Sequence, residues 1–256
     1  MRDPHVVALY YRLEAGKQIT FDDPLPVEHK TAAFSLRLAN GQLRAEIRDD
    51  PATVAAAYGE LEQYLRSWEI RTNLRYGAAA IRLRLEKIGG VGAATGSEVS
   101  DVLRSLLVPR GTPTLFVRGR LSLTQYPDPP GSFLATSDVV SMWERYERYS
   151  DGRELLTDVA WWCLTTIEWL SGGRARAAAR YAISDNVLEE LQRLAHVGNE
   201  KTARKRFKGQ DLRPHTPAEI AWMEDVVRAI IRRVGEWTEN PNATWPQITL
   251  KDFPPI

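Results

Sequence analysis

Residues 34–47 read FSLRLANGQLRAEI. Phe34, Leu36 and Leu38 alternate with Ser35, Arg37 and Ala39, and after Asn40-Gly41 the alternation resumes as Leu43, Ala45 and Ile47 against Arg44 and Glu46. A period of two puts one apolar face on each strand. Asn-Gly is the pair that best tolerates the two positive φ angles of a tight type I′ turn. The stretch therefore predicts a β-hairpin with one buried face, and a buried face needs a covering layer.

The flanking sequence supplies both neighbours and cover. Residues 5–13 are rich in β-branched, aromatic and aliphatic side chains and predict a strand; Ile81, Leu83 and Leu85 alternate with Arg82, Arg84 and Glu86 and predict another. Leu115, Val117, Leu121 and Leu123 point to one more strand, with a short helix over 97–107 before it. Asp50-Pro51 reads as a helix start. Val54, Tyr58, Leu61, Leu65 and Trp68 then recur every three or four residues, so a helix is expected across the sheet. Pro127, Pro129 and Pro130 end the strand-forming region, because proline has no amide to donate to a central strand.

Beyond that point the pattern is helical, over 137–149, 153–170, 174–181, 185–195 and 217–237. Thr216, Pro217 and Glu219 form a capping-box start for the last helix, whose apolar stripe runs through Ile220, Met223, Val227, Ile230, Val234 and Trp237. Glu224 stands four residues before Arg228 and is expected to pair with it. The tail carries Pro241, Pro246, Pro254 and Pro255 with Trp245, Ile248, Leu250 and Phe253 between them, and is expected to pack back as an extended arm. The expected class is α+β: a sheet-rich domain over 1–131, mainly antiparallel with a packed helix, then a helical domain over 132–256 with its arm at 238–256. The expected core includes Leu36, Leu61, Trp68, Leu83, Val159, Trp162, Leu188, Met223 and Ile230.

Bulk composition excludes several classes. The formal net charge is +1 over 256 residues, so no whole-molecule basic field draws the chain to nucleic acid. The single cysteine, Cys163, leaves no internal disulfide and fits a reducing compartment, with the cytoplasm as default. The apolar segment 159–170 is shorter than the roughly 20 residues a membrane helix needs and contains Glu168, so no membrane partner is expected. The four histidines lack metal-binding spacing, and neither a metal nor a cofactor is expected.

The sharpest local pattern spans 172–196, where Ala178, Ala182, Ile183, Ser184, Val187 and Leu188 succeed one another at characteristic spacing. It resembles the bacterial helix-turn-helix consensus, in which small residues let two helices cross, a serine starts the second and aliphatics lock it. The resemblance implies DNA contact through the second helix. This chain departs from the pattern with Ala182 at the usual glycine and with Asp185, Glu189 and Glu190 on the would-be recognition helix. Basic residues flank it: Arg174, Arg176 and Arg180 before the turn, Lys201, Arg204, Lys205, Arg206 and Lys208 after it. They are candidates for contact with nucleic acid or with the acidic face of a protein partner.

Two further patterns carry chemistry on paper. Gly89, Gly90, Gly92 and Gly96 follow a strand and precede a helix, where backbone amides can hold a phosphate, so Gly90, Gly92 and Gly96 are candidates; the spacing is neither GxGxxG nor GK[ST]. Asp22 or Asp23 with Glu28-His29-Lys30 superficially resembles the acidic and ExK elements of restriction-type nucleases, although Pro24 and Pro26 favour a loop there. Cys163 sits in an apolar helix that disfavours a thiolate, and Glu168 lies among Trp161, Trp162 and Trp169. The leading expectation is a non-catalytic binding or scaffold subunit engaging a macromolecular partner, expected to be a protein, through its helical half. A nucleic-acid-binding protein is the alternative, and an enzyme with a site between the halves the second.

Overall fold

The computed structural model describes residues 6–17, 19–48, 54–91, 121–197 and 213–256. The chain divides into two compact units, Met1–Gly131 and Ser132–Ile256. The expected helix at 97–107, the strand at Leu115 and Val117, and the helix start at Asp50-Pro51 lie outside the described residues.

In the first unit, strands β1 (Val6–Ala15), β3 (Val27–Lys30), β4 (Phe34–Ala39), β5 (Gln42–Arg48) and β6 (Ile81–Val91) form one sheet in the order β3-β4-β5-β1-β6. Every neighbouring pair is antiparallel. The β4–β5 hairpin turns at Asn40 (φ 50°) and Gly41 (φ 71°), with Leu38 opposite Leu43. Helix α1 (Val54–Tyr76) covers the apolar face. Leu9, Tyr11, Leu36, Leu38, Leu43 and Ile47 from the sheet meet Leu61, Leu65 and Trp68 from the helix in one buried cluster.

The edge strand β6 is closed by side chains of α1. Ile81 donates its amide to Asn73 Oδ1 at 2.8 Å and accepts from Asn73 Nδ2 at 3.2 Å, and the Leu83 amide donates to Glu69 Oε1 at 2.6 Å. Glu69 and Asn73 are each 2% exposed, and Arg66 balances the Glu69 charge at 3.2 Å. Farther along, Trp68 Nε1 donates to the Pro127 carbonyl and Arg71 to the Pro129 carbonyl, each at 3.1 Å, which holds the proline-rich segment against α1.

Two readings of this unit are corrected. The stretch from Asp22 to Lys30 is strand on both sides of Pro26 and not a loop: β2 (Ile19–Leu25) pairs in parallel with β7 (Leu121–Gln125) as a separate two-stranded sheet, and Glu28, His29 and Lys30 lie in β3. Pro24 is accommodated because the β2–β7 register breaks between Phe21 and Leu25, where Asp23 has a φ of 48° and no ladder amide is needed. Gly89 and Gly90, expected to follow the strand, instead lie within β6, opposite Ala8 and Val7, while Gly92 and Gly96 lie outside the described residues. A Cβ on Gly89 would stand 3.3 Å from the Tyr10 ring, so this glycine makes room for an aromatic on the neighbouring strand.

The second unit comprises α2 (Ser137–Ser150), α3 (Leu156–Ser171), α4 (Arg174–Tyr181), α5 (Asp185–His196) and α6 (Pro217–Glu239). α3 begins three residues later than its periodicity predicts, because the Arg153 amide still bonds the Arg148 carbonyl of α2 at 2.8 Å and Glu154 turns back to Arg145 and Arg148. Trp143, Val159, Cys163, Leu164, Ile167, Leu188, Leu191, Val227 and Ile231 are buried to within 1%. Phe133 lies directly on the α6 backbone: a Cβ on Gly235 would stand 2.3 Å from its ring. From the tail, Ile248 forms a parallel bridge with Ile183, a 3-10 turn follows at Leu250–Asp252, and Phe253 packs edge-on against Trp222.

The capping box of α6 is present, with Thr216 and Glu219 bonded reciprocally. Three other details differ from expectation. Ile220 is 38% exposed, since Glu219 and Trp222 take the inward positions of that turn. Arg228 pairs with Asp225, while Glu224 accepts the Tyr149 hydroxyl at 2.5 Å. Trp162, expected in the core, is 37% exposed, because Val159, Ala160, Cys163, Leu164 and Ile167 fill the inward face of α3.

Asn73→Ala removes a donor and an acceptor from the buried edge of β6 and leaves both backbone groups of Ile81 unpaired. A loss of about 2 kcal/mol is expected from such unsatisfied groups, read as an earlier urea midpoint and faster hydrogen exchange at the Ile81 amide.

Candidate partner-binding face of the helical unit

α3 has two faces with opposite fates. Its inner face carries the buried residues above, whereas Leu155 at its N-cap, Trp162 and Trp169 are 42%, 37% and 79% exposed. They are seven residues apart, two helical turns, so they line up along one side over about 21 Å at 1.5 Å per residue. Trp162 is held in place: the Arg145 guanidinium lies 4.4 Å from its ring centroid while also pairing with Glu154 at 2.9 Å. Gly172, at φ 74°, ends the helix one turn beyond Trp169 in the left-handed conformation that glycine adopts most cheaply.

The hairpin of α4 and α5 follows. Its turn is a Schellman closure: the Ile183 amide reaches back to the Ala178 carbonyl at 3.0 Å, and Ala182 takes the left-handed conformation, φ 48° and ψ 51°. Ala177, Ala178, Ile183, Val187, Leu188 and Leu191 are buried, so the residues of the helix-turn-helix pattern serve as core. The solvent side of α5 presents Asp185, Asn186, Glu189 and Arg193. Arg193 is itself bound to Glu190, with Nε at 2.9 Å and Nη2 at 2.5 Å, and the Glu190 hydrogen bond raises its pKa further.

The basic residues before the turn are largely engaged. Arg174 donates to Glu168 at 2.7 Å and to Gln192 at 2.6 Å, tying α3, α4 and α5 together. Arg180 donates to the Leu170 carbonyl at 2.5 Å and lies 4.1 Å from the Trp237 ring centroid. Arg176 is exposed, close to Gly172. Lys201, Arg204, Lys205, Arg206 and Lys208 lie outside the described residues, as do Gly92 and Gly96, while Gly90 lies in β6.

The groups singled out for chemistry have structural partners. Glu168 is the ion-pair partner of Arg174, and burial pushes the Cys163 thiol up to about 12, against thiolate formation. Asp22 accepts the Ser122 hydroxyl, and Glu28 pairs with Arg37 across the strands at 3.5 Å. Among the described residues no group of three His, Cys, Asp or Glu stands close enough to hold a metal ion. The His196 ring bonds the Gln192 carbonyl at 2.7 Å through Nδ1 and packs edge-on against Trp161. Among the described residues, no helix is long and apolar enough to cross a membrane.

The stripe on α3 falls outside the sequence expectations, which treat this apolar helix as a core helix and place Trp162 in the core. Its signal was present in the seven-residue spacing of Leu155, Trp162 and Trp169. No family model, no curated protein and no solved structure matches this chain.

Two expectations concern the hairpin and its support. Ala182→Gly relieves a left-handed alanine, a strain of about 1 kcal/mol, and is expected to raise the unfolding midpoint of the helical unit in urea. Glu219 is held down at about 2 against an ordinary 4.5, first by the Arg213 hydrogen bond and then by the Thr216 amide. A depressed carboxyl contributes stability that is complete above its unfolded pKa and lost on acidification. Urea midpoints should therefore fall as pH drops from 4.5 toward 2, and Glu219→Gln should flatten that limb.

Proposed function

We propose that this chain is a non-catalytic binding subunit that engages a protein partner through the helical unit, with the outer side of α3 as the contact face. The observation that carries the reading is the alignment of Leu155, Trp162 and Trp169 on one side of a helix whose other side is fully packed. Single exposed apolar residues are ordinary, but an aligned stripe with two tryptophans has the composition of an interface centre, where Trp is enriched. Arg145, fixed over Trp162, offers a polar rim beside it.

The alternative, nucleic-acid binding through the hairpin and the basic segment around it, has less support. Phosphates would meet Asp185 and Glu189 on α5, and the guanidiniums of Arg174 and Arg180 already serve internal partners. A cytoplasmic site of action fits the single free cysteine.

Site-specific photo-crosslinking tests the reading. p-Benzoylphenylalanine at position 169 is expected to give a discrete, nuclease-resistant protein adduct in the native cell, whereas the same group at position 186 should give none. Equal labelling from both positions would count against the α3 face, and adducts that collapse on nuclease treatment would favour the nucleic-acid reading.

A further inference from the structure

In the sheet-containing unit a cavity of about 280 Å³ opens between the C-terminal half of α1 and the segment from β7 to Asp128. We propose that it binds a phosphate monoester carried on a small hydroxylated molecule. The proposal is independent of the partner face on α3.

Two arginines define the cavity. Arg71 and Arg75 are four residues apart on α1, so they project from the same side of the helix, and both line the space. Arg71 is anchored through Nη1 to the Pro129 carbonyl at 3.1 Å, which orders its fork while leaving donors over; Arg75 lies 5.2 Å from the Tyr76 ring centroid. The helix end favours a cation in its last turn by itself. It does not account for two guanidiniums lining one cavity whose walls also carry the polar side chains of Thr72, Ser122, Thr124 and Gln125 beside Leu123 and Tyr126.

The lining chooses the ligand class. Two guanidiniums lining one space supply positive charge and the forked N–H donors that the several oxygens of a phosphate accept. Asp128 also lines the cavity and repels a second anionic group, while it can accept from a ligand hydroxyl, as can the hydroxyl and amide side chains. Thr72, which also lines the space, is a buried polar residue, 3% exposed. The volume sits near the lower bound of roughly 300 Å³ for small-molecule pockets, which suits a phosphate on a short polyol and is too small for a dinucleotide.

Isothermal titration of the full chain at constant ionic strength tests this, with glycerol 3-phosphate as the probe and glycerol and glycerate as the uncharged and carboxylate arms. Glycerol 3-phosphate is expected to bind saturably with Kd below about 1 mM, glycerol not at all, and Arg75→Gln to weaken binding at least about tenfold. Thr72→Val, close in shape, should weaken it several-fold and supplies the reading if Arg75→Gln does not fold by circular dichroism. Absence of saturable heat up to about 10 mM probe overturns the site, as does unchanged affinity in both folded variants. Glycerate binding as tightly as glycerol 3-phosphate overturns the phosphate assignment. None of these results depends on labelling from position 169.

Discussion

A sheet edge is a row of unpaired amides and carbonyls, and a buried edge must find partners for them. In this protein Glu69 and Asn73 act as a substitute strand: an amide side chain pairs with both backbone groups of Ile81, and a carboxylate takes the Leu83 amide. Burying a carboxylate is costly unless its charge and lone pairs are matched, and here Arg66 and the Leu83 amide match them. The arrangement fixes α1 along the sheet as well as above it, because apolar contacts alone permit sliding whereas three directed hydrogen bonds do not. The same registration sets where Trp68 meets Pro127, where Arg71 meets Pro129, and hence which side of α1 turns its arginines toward β7.

The helical unit depends on a comparable device. Arg233 of α6 is 4% exposed and donates to the Tyr181 carbonyl at 2.9 Å and to the Ala182 carbonyl at 3.4 Å, capping the end of α4 from a neighbouring helix. Burial lowers its pKa, and Glu236, beside it at 3.4 Å, opposes that shift. The Ile248 amide uses the same Ala182 carbonyl at 2.8 Å, and Trp245 lies beneath the guanidinium. A hairpin held this way from behind is a structural element first, and its aliphatic pattern needs no DNA to explain it.

Periodicity made the architecture legible. The Asn40-Gly41 turn, the alternation around it and the Thr216–Glu219 cap all act through neighbours in sequence, so the residues that decide them can be read together. The misreadings share one cause, which is that tertiary partners overrode local pattern. Glu69 stands in a helix between Trp68 and Ile70 and gives no sign that a strand amide waits for it. Gly89 and Gly90 look like a loop until a partner strand is present to pair with them, and Trp162 looks like core until Val159, Cys163 and Ile167 are seen to fill the inward face. The α3 stripe was readable as a seven-residue spacing, whereas the cavity beside Arg71 and Arg75 was not, since Ser122 to Asp128 come from some fifty residues away and meet α1 only through the fold.

The eight tryptophans make the contrast between buried and exposed aromatic surface informative. Trp68, Trp143 and Trp222 are within 1% of complete burial, so the chain hides large rings where the fold has use for them. Trp169, four-fifths exposed at the end of a well-packed helix, is held at the surface by the same geometry that buries Cys163 and Ile167, and it cannot turn inward without unpacking them. The apolar area of an aromatic side chain left in water forgoes roughly 2 kcal/mol of burial free energy. Any surface that covered it would recover that free energy without ordering a new helix, because a rigid, aligned stripe has already lost the entropy that a mobile segment would lose on binding.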